Sequence, residues 1–399
     1  CEIWGDSVVP HGLSVLFWES GQVERMASFT EGVLHGESKT YHQNGKVKST
    51  STFQQGKLEG KVFIFYEDGV VASEAKFVDG EMEEEALSNF ESGARKTSTV
   101  YKKGKIQGKM IEWYENGNEK AVRMYKDGLL HSTDEAPGVV LYDENRAIIL
   151  VQDYLDGASH GDHVEYHPNK RQSYYVNYVK GKKNGLERWY SSEGKTIGEG
   201  KYATGMKLGK HWKKHENGTL SYLAQYSKKG ELLEPIKEYD SNGQKIAEYS
   251  VTTSDKFHGK FTTWYSDGKV HIRGGWKNGE KEGDYIEYYP NGEVKFSGYF
   301  SSDVKNGEFY EYYESGQVSF SGAFVDGNRQ GLFCEWYDNG QQKTLRGYEK
   351  TLFHGEQKDW DKNGNITMEA RYEEGKKDGT FRTWGEDRVL LIEGAFKKD

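Results

Sequence analysis

The sequence predicts an all-β protein: an elongated, twisted antiparallel sheet or solenoid of about sixteen 24-residue β-hairpin repeats. Three observations carry this. Gly is 49 of 399 residues, Pro only 5, and aromatics reach 14%, led by 28 Tyr. Disordered chains show the reverse composition, and short strands joined by tight turns call for this one. Second, a landmark glycine recurs in steps of 24, as at Gly12, Gly36, Gly60, Gly108, Gly161, Gly185, Gly209, Gly259, Gly283, Gly307, Gly331, Gly355 and Gly379. Third, Asn-Gly, Asp-Gly or Ser-Gly stands at a constant offset between runs of β-formers, which is the strongest short hairpin signal.

Glu84, Pro137 and Glu234 fill the landmark position in the remaining repeats. The period breaks at a five-residue insertion, 132–136, and at single extra residues near Gly230 and Asp255. Residues 1–11 read as an N-terminal anchor or tether and residues 12–399 as repeats. Lys+Arg 54 against Asp+Glu 63 gives a net charge of −9, which argues against nucleic acid or an anionic bilayer as a general partner. The longest apolar run, Ala147 to Val151, has five residues, far short of a membrane-spanning helix.

With the landmark as position 0, an aromatic follows at position 5, as in Tyr41, Phe65, Trp113, Trp264, Tyr288, Tyr312, Trp336 and Trp360. Asn-Gly or its equivalent fills positions 8 and 9, a second aromatic position 17, and a second glycine usually position 20. Each repeat is therefore two short strands. A two-residue loop would set position 5 opposite a polar position 12. A three-residue loop with the glycine left-handed sets it opposite position 11, often Val (Val47, Val71, Val270, Val294, Val318). The three-residue loop is preferred. Carried along both strands without interruption, this register puts positions 5, 11, 15 and 17 on one packed face. Trp113, Trp264, Trp336 and Trp360 then share a face with Tyr125, Trp276, Tyr348 and Tyr372. Small residues at position 15 (Ala27, Ala75, Gly274, Gly298, Gly322) suggest rings lying flat across a neighbouring strand.

The opposite face reads as polar apart from position 6, which is Tyr or His in most repeats. Its most regular stretch is Tyr265, Tyr289, Tyr313 and Tyr337, the candidate partner-binding row. Two readings stay open: a cross-strand ladder that stiffens the sheet, or a contact face.

The search for chemistry is negative. His160, His163 and His167 are the best metal candidates, but His163 and His167 would stand about 13 Å apart along a strand, too far for one ion. The His-Gly pairs at His11, His35, His160, His258 and His354 read as turn chemistry. Glu81 to Glu85 reads as a solvated turn, and Cys334 as a small core residue. No nucleophile–base order, phosphate loop or Cys-x₂-Cys is present. The expectation is a non-enzyme with no metal and no cofactor.

The pattern of a glycine, four residues, [Trp/Tyr]-Tyr-x-Asn-Gly, seven residues, an aromatic and a further glycine, as from Gly108 to Gly128 and from Gly283 to Phe300, resembles bacterial MORN-variant repeats of the YwqK-type antitoxin kind. That resemblance implies a scaffold or interaction rod, and by the antitoxin label a protein that neutralises a toxin by binding it. Glu84, Arg146, Lys170 and Val251 depart from the pattern, and irregular pairing is expected there. Cys1 is what processing of a bacterial lipoprotein precursor leaves first, so Cys1 is expected to carry lipid and to hold the protein at the cell envelope. The leading expectation is a membrane-anchored scaffold that binds a protein partner. The alternatives are an antitoxin or immunity protein and a glycan- or choline-binding envelope module.

Overall fold

The computed structural model describes residues 2–4 and 7–397, with side chains from Val9 onward. Cys1, and with it the lipid-anchor expectation, lies outside the described residues. Among those residues every regular element is a β-strand. Two compact bodies are present. The first runs to Thr196 and includes Lys201–Met206; the second comprises Ile197–Gly200 and the chain from Lys207. Within each body the strands pair antiparallel with their neighbours in sequence. In the first body Ala158–Tyr166 pairs with Gln172–Val179, which pairs with Lys182–Tyr190. In the second, Glu280–Tyr288 pairs with Val294–Ser301, which pairs with Val304–Tyr312.

Two turn types alternate. Inside a repeat the loop has three residues, as expected. Tyr289 N donates to Glu293 O at 2.8 Å and Gly292 N to Tyr289 O at 2.9 Å, which leaves Pro290, Asn291 and Gly292 as the loop. Gly292 has φ +97°, the left-handed conformation that glycine adopts without strain. Between repeats the loop has two residues, both at positive φ, such as Asn278 (54°) with Gly279 (94°) and Asp326 (48°) with Gly327 (79°). That is the mirror-image turn whose twist matches two right-twisted strands. The N–H of its first residue donates to the side chain at position −1: Gln55 N donates to His35 Nδ1 at 3.4 Å and Lys180 N to His160 Nδ1 at 3.4 Å. Glu59, Gln107 and Glu282 accept the equivalent bond at 2.8–2.9 Å. These His-Gly junctions are turn chemistry, as read from the sequence.

Where the pattern departs, pairing nevertheless persists. Glu84 (φ 68°), Arg146 (65°) and Lys170 (67°) take the backbone conformation of the missing glycine. Arg146 N still donates to Asp143 O at 3.0 Å and Lys170 N to His167 O at 2.9 Å. Val251 pairs with Phe257. The expected irregularity at these sites is thus corrected: at Glu84, Arg146 and Lys170 the surrounding ladder imposes a left-handed residue at about 1–2 kcal/mol each, and at Val251 the pairing continues without one. The insertion is absorbed between Leu129–Leu130 and Val139–Tyr142, both of which pair with Glu119–Lys126.

The faces need a second correction. Position 5 does pair with position 11, as in Tyr288 with Val294, but position 4 then pairs with position 13, Glu287 with Phe296. Position 12, here Lys295, is an extra residue. Such a bulge shifts the register by one, and a one-residue shift exchanges faces. Positions 2 and 4 therefore share a face with 13, 15 and 17, while 1, 3 and 5 share the other with 11, 14 and 16. Trp113, Trp264, Trp336 and Trp360 lie on the face opposite Tyr125, Trp276, Tyr348 and Tyr372. The core is built from positions 2, 15 and 17: Phe309 is 0% exposed, Phe333 6% and Phe300 7%, with Ala27, Val176 and Ala224 at 2% or less.

Candidate binding faces of the repeat

On the packed face of the second body, a ring at position 2 covers the small residue at position 15 of the preceding repeat. A Cβ placed on Gly298 would stand 2.3 Å from Phe309, and one on Gly322 2.5 Å from Phe333. Rings thus lie across glycines as anticipated, but they come from position 2, not position 5. They continue into a file of edge contacts: Phe300 to Phe309 at 5.3 Å, Phe309 to Phe324 at 5.2 Å, Phe324 to Phe333 at 5.2 Å and Phe333 to Tyr348 at 5.0 Å between centroids. Cations at position −2 cap the file. Lys305 Nζ lies 4.9 Å from the Phe309 centroid and 5.0 Å from that of Phe324.

In the first body the same column turns polar. Glu187, 2% exposed, accepts the Tyr174 hydroxyl at 2.5 Å and is ion-paired with Lys183. Burial, then the hydrogen bond to Glu187, holds the Tyr174 phenol well above its ordinary range. His163 Nδ1 faces Gln152 Oε1 at 2.9 Å and Nε2 faces Glu165 Oε1 at 2.9 Å. His167 Nε2 faces the Tyr190 carbonyl at 2.8 Å instead. The three candidate histidines each have separate partners, and no group of three metal-capable side chains converges among the described residues.

The position-6 row sits beside the three-residue loops. Tyr265 donates its hydroxyl to the Tyr288 carbonyl at 2.6 Å, Tyr289 to Tyr312 at 2.8 Å, Tyr313 to Trp336 at 2.7 Å and Tyr337 to Trp360 at 3.0 Å. His42, Tyr66, Tyr114 and His215 bond the same carbonyl of the next repeat. The hydroxyls of the four candidate tyrosines are therefore committed to a ladder between repeats. A parallel ladder runs beside it. Asn291 Oδ1 accepts from Glu293 N at 2.9 Å, closing its own turn, while Nδ2 donates to the Glu314 carbonyl at 2.7 Å. Asn44, Asn169, Asn217 and Asn339 do the same. The sequence signal was the preference for Asn at position 8, which a turn alone does not require.

The outward face carries the position-5 row. In the second body Trp264, Tyr288, Tyr312, Trp336, Trp360 and Trp384 occupy it in consecutive repeats, each half-buried. None donates a side-chain hydrogen bond to another described residue. Sequence reasoning missed this row as a surface because the bulge hid its face.

Six segments match the family described as the MORN repeat variant: residues 34–55, 58–79, 257–278, 281–301, 305–326 and 353–374. These six segments are similar to MORN-variant repeats, in keeping with the hairpin repeat that the strands show. No curated protein matches it. Solved structures similar to it include a TcdB2–TccC3–Cdc42 complex (10% identity, 94% of this chain, 28% of that chain, TM-score 0.12). The Photorhabdus luminescens Tc holotoxin pore is another (11% identity, 96% of this chain, 24% of that chain, TM-score 0.15). The chain spans about a quarter of those chains' length.

Proposed function

We propose that this protein is a non-enzymatic interaction protein that captures a protein partner on its repeat surface. The observation that supports capture is the position-5 row, six aromatic rings in register on the outward face with no hydrogen bond of their own. Tyr and Trp present large contact area at small conformational cost and serve as interface anchors. The family of the six matched segments is in keeping with a binding role. The side chains on the packed face and in the two ladders are engaged within the sheet, which leaves the outward face for recognition. The test is site-specific photo-crosslinking in cells with the crosslinker at position 312 or 336, and at position 289 for comparison. A partner trapped from the outward positions supports the reading; equal trapping from all three sites sinks it.

A further inference from the structure

We propose that Asn242 and Asn363 are sites of spontaneous modification, at which the main-chain nitrogen of the following glycine converts the side-chain amide to a carboxylate, while the asparagines of the sister loops are protected. These sites are independent of the capture of a partner.

Seven of the three-residue loops hold Asn-Gly at positions 8 and 9. In five of them the amide is bonded at both ends. Oδ1 of Asn44, Asn116, Asn217, Asn291 and Asn339 accepts from the N–H two residues on at 2.9–3.0 Å. Nδ2 of the same side chains donates to a carbonyl of the next repeat at 2.7–3.2 Å. In the other two loops an aspartate at position 6 closes the turn instead. Asp240 Oδ1 accepts from Asn242 N and from Gln244 N, both at 2.9 Å. Asp361 Oδ1 accepts from Asn363 N at 2.9 Å and from Asn365 N at 2.8 Å. The amides of Asn242 and Asn363 are left with no hydrogen bond to another described residue. All seven asparagines are exposed, so access to water does not separate the two groups.

The reaction carries Cγ of the asparagine onto the next main-chain nitrogen. At Asn242 the bond from Gly243 N to Cγ forms and the bond from Cγ to Nδ2 breaks. The proton of Gly243 N leaves with Nδ2 as ammonia, and a cyclic imide remains. Water then opens the imide at one or the other carbonyl, which yields aspartate or isoaspartate. Nothing is oxidised, and one water is consumed for each ammonia released. Glycine suits the second position because it has no Cβ to shield its nitrogen. Both amide atoms move as Cγ swings over, so a doubly bonded side chain first gives up two hydrogen bonds and a free one gives up none. The glycine N–H bonds the position-6 carbonyl in both groups, Gly243 N to Asp240 O at 3.0 Å and Gly292 N to Tyr289 O at 2.9 Å, so that bond does not rank them. The expected separation in rate is at least about tenfold, which corresponds to about 1.4 kcal/mol. Each conversion also sets a second carboxylate beside the one that closes the turn, and like charges so placed repel.

The experiment incubates the full chain at neutral pH and follows the amide-to-acid mass change at each Asn-Gly by peptide mapping. Asn242 and Asn363 are expected to convert at least about tenfold faster than Asn291 and Asn339. A parallel incubation in concentrated urea, with the chain unfolded, removes the bonds and keeps the neighbouring residues, and there the seven rates should converge. Either site converting no faster than the five bonded ones overturns the inference. So does the same ranking in urea as in the folded chain, which would assign the selectivity to local sequence and not to the loops.

Discussion

Gly298 is the sharpest test of how the repeats pack. Its φ is not positive, so Ala is permitted by the backbone, and any penalty must come from contact. The new Cβ would stand 2.3 Å from Phe309 Cε1 and 2.4 Å from Cδ1. Ordinary carbon contacts lie at about 3.5–4.0 Å, so the ring must retreat by more than about 1 Å. It has little room to do so: Phe309 is 0% exposed, with Phe296, Phe300 and Phe324 at 5.8, 5.3 and 5.2 Å. Overpacking of this kind destabilises by about 1–3 kcal/mol. Phe309→Ala alone removes a buried ring and costs about 3–5 kcal/mol. With Gly298→Ala already present, the ring's removal also relieves the clash, so the double variant is expected to be more stable than the sum by about 1 kcal/mol or more. Because a repeat array need not unfold as one unit, the assay is hydrogen exchange of the strands Val294–Ser301 and Val304–Tyr312 together with a urea midpoint. A neutral Gly298→Ala, or strict additivity of the pair, refutes the claim that the position-2 ring sits on this glycine.

Three further outcomes are expected. Glu187→Gln should destabilise the first body by about 3 kcal/mol, at the low end for a buried pair because the Lys183 ammonium keeps some water; urea denaturation checks it. The Tyr174 phenol titrates above its unfolded value, so stability should hold below about pH 10 and decline as pH rises beyond it, a decline that Tyr174→Phe lessens in melts across that range, with Tyr249 contributing in the same direction. Replacing Arg146 or Lys170 by Gly should raise stability by about 1 kcal/mol each, since both hold a left-handed backbone, and an unchanged melt would refute the strain.

The repeat, the strand count per repeat and the loop length were legible in the sequence because each rests on glycine and Asn at fixed offsets. The faces were not. One extra residue at position 12 exchanges them, and that residue is an unremarkable polar side chain such as Lys295 or Lys343. A trace did exist in the columns: Tyr285, Phe309 and Phe333 follow repeats whose position 15 is Gly274, Gly298 and Gly322, a size match that holds only if positions 2 and 15 touch. The commitment of the tyrosine hydroxyls was hidden for a different reason. Their acceptors are main-chain carbonyls, which no letter of the sequence marks, so a ladder and a contact face share one pattern at Tyr265, Tyr289, Tyr313 and Tyr337.

The distribution of these bonds bears on what the protein can vary without unfolding. At one edge of the sheet, positions 6 and 8 tie each repeat to the next through Tyr, His and Asn side chains. At the other, position −1 caps the turn that joins repeats, and Gly279 N or Gly327 N donates back to the carbonyl at position −2. The packed face is filled by positions 2, 15 and 17. The side chains at positions 1, 5 and 16 enter none of these ties in the repeats from Gly283 to Phe324, where they belong to Asp284, Tyr288, Tyr299, Glu308, Tyr312 and Ala323; position 5 takes part only through its main-chain carbonyl. A surface whose residues are not required for folding is free to be shaped by what it binds, while the period of the sheet beneath still fixes the distance from one ring to the next. Recognition by such a surface is therefore set by spacing as much as by residue type, and a partner must match that period before any single contact can help it.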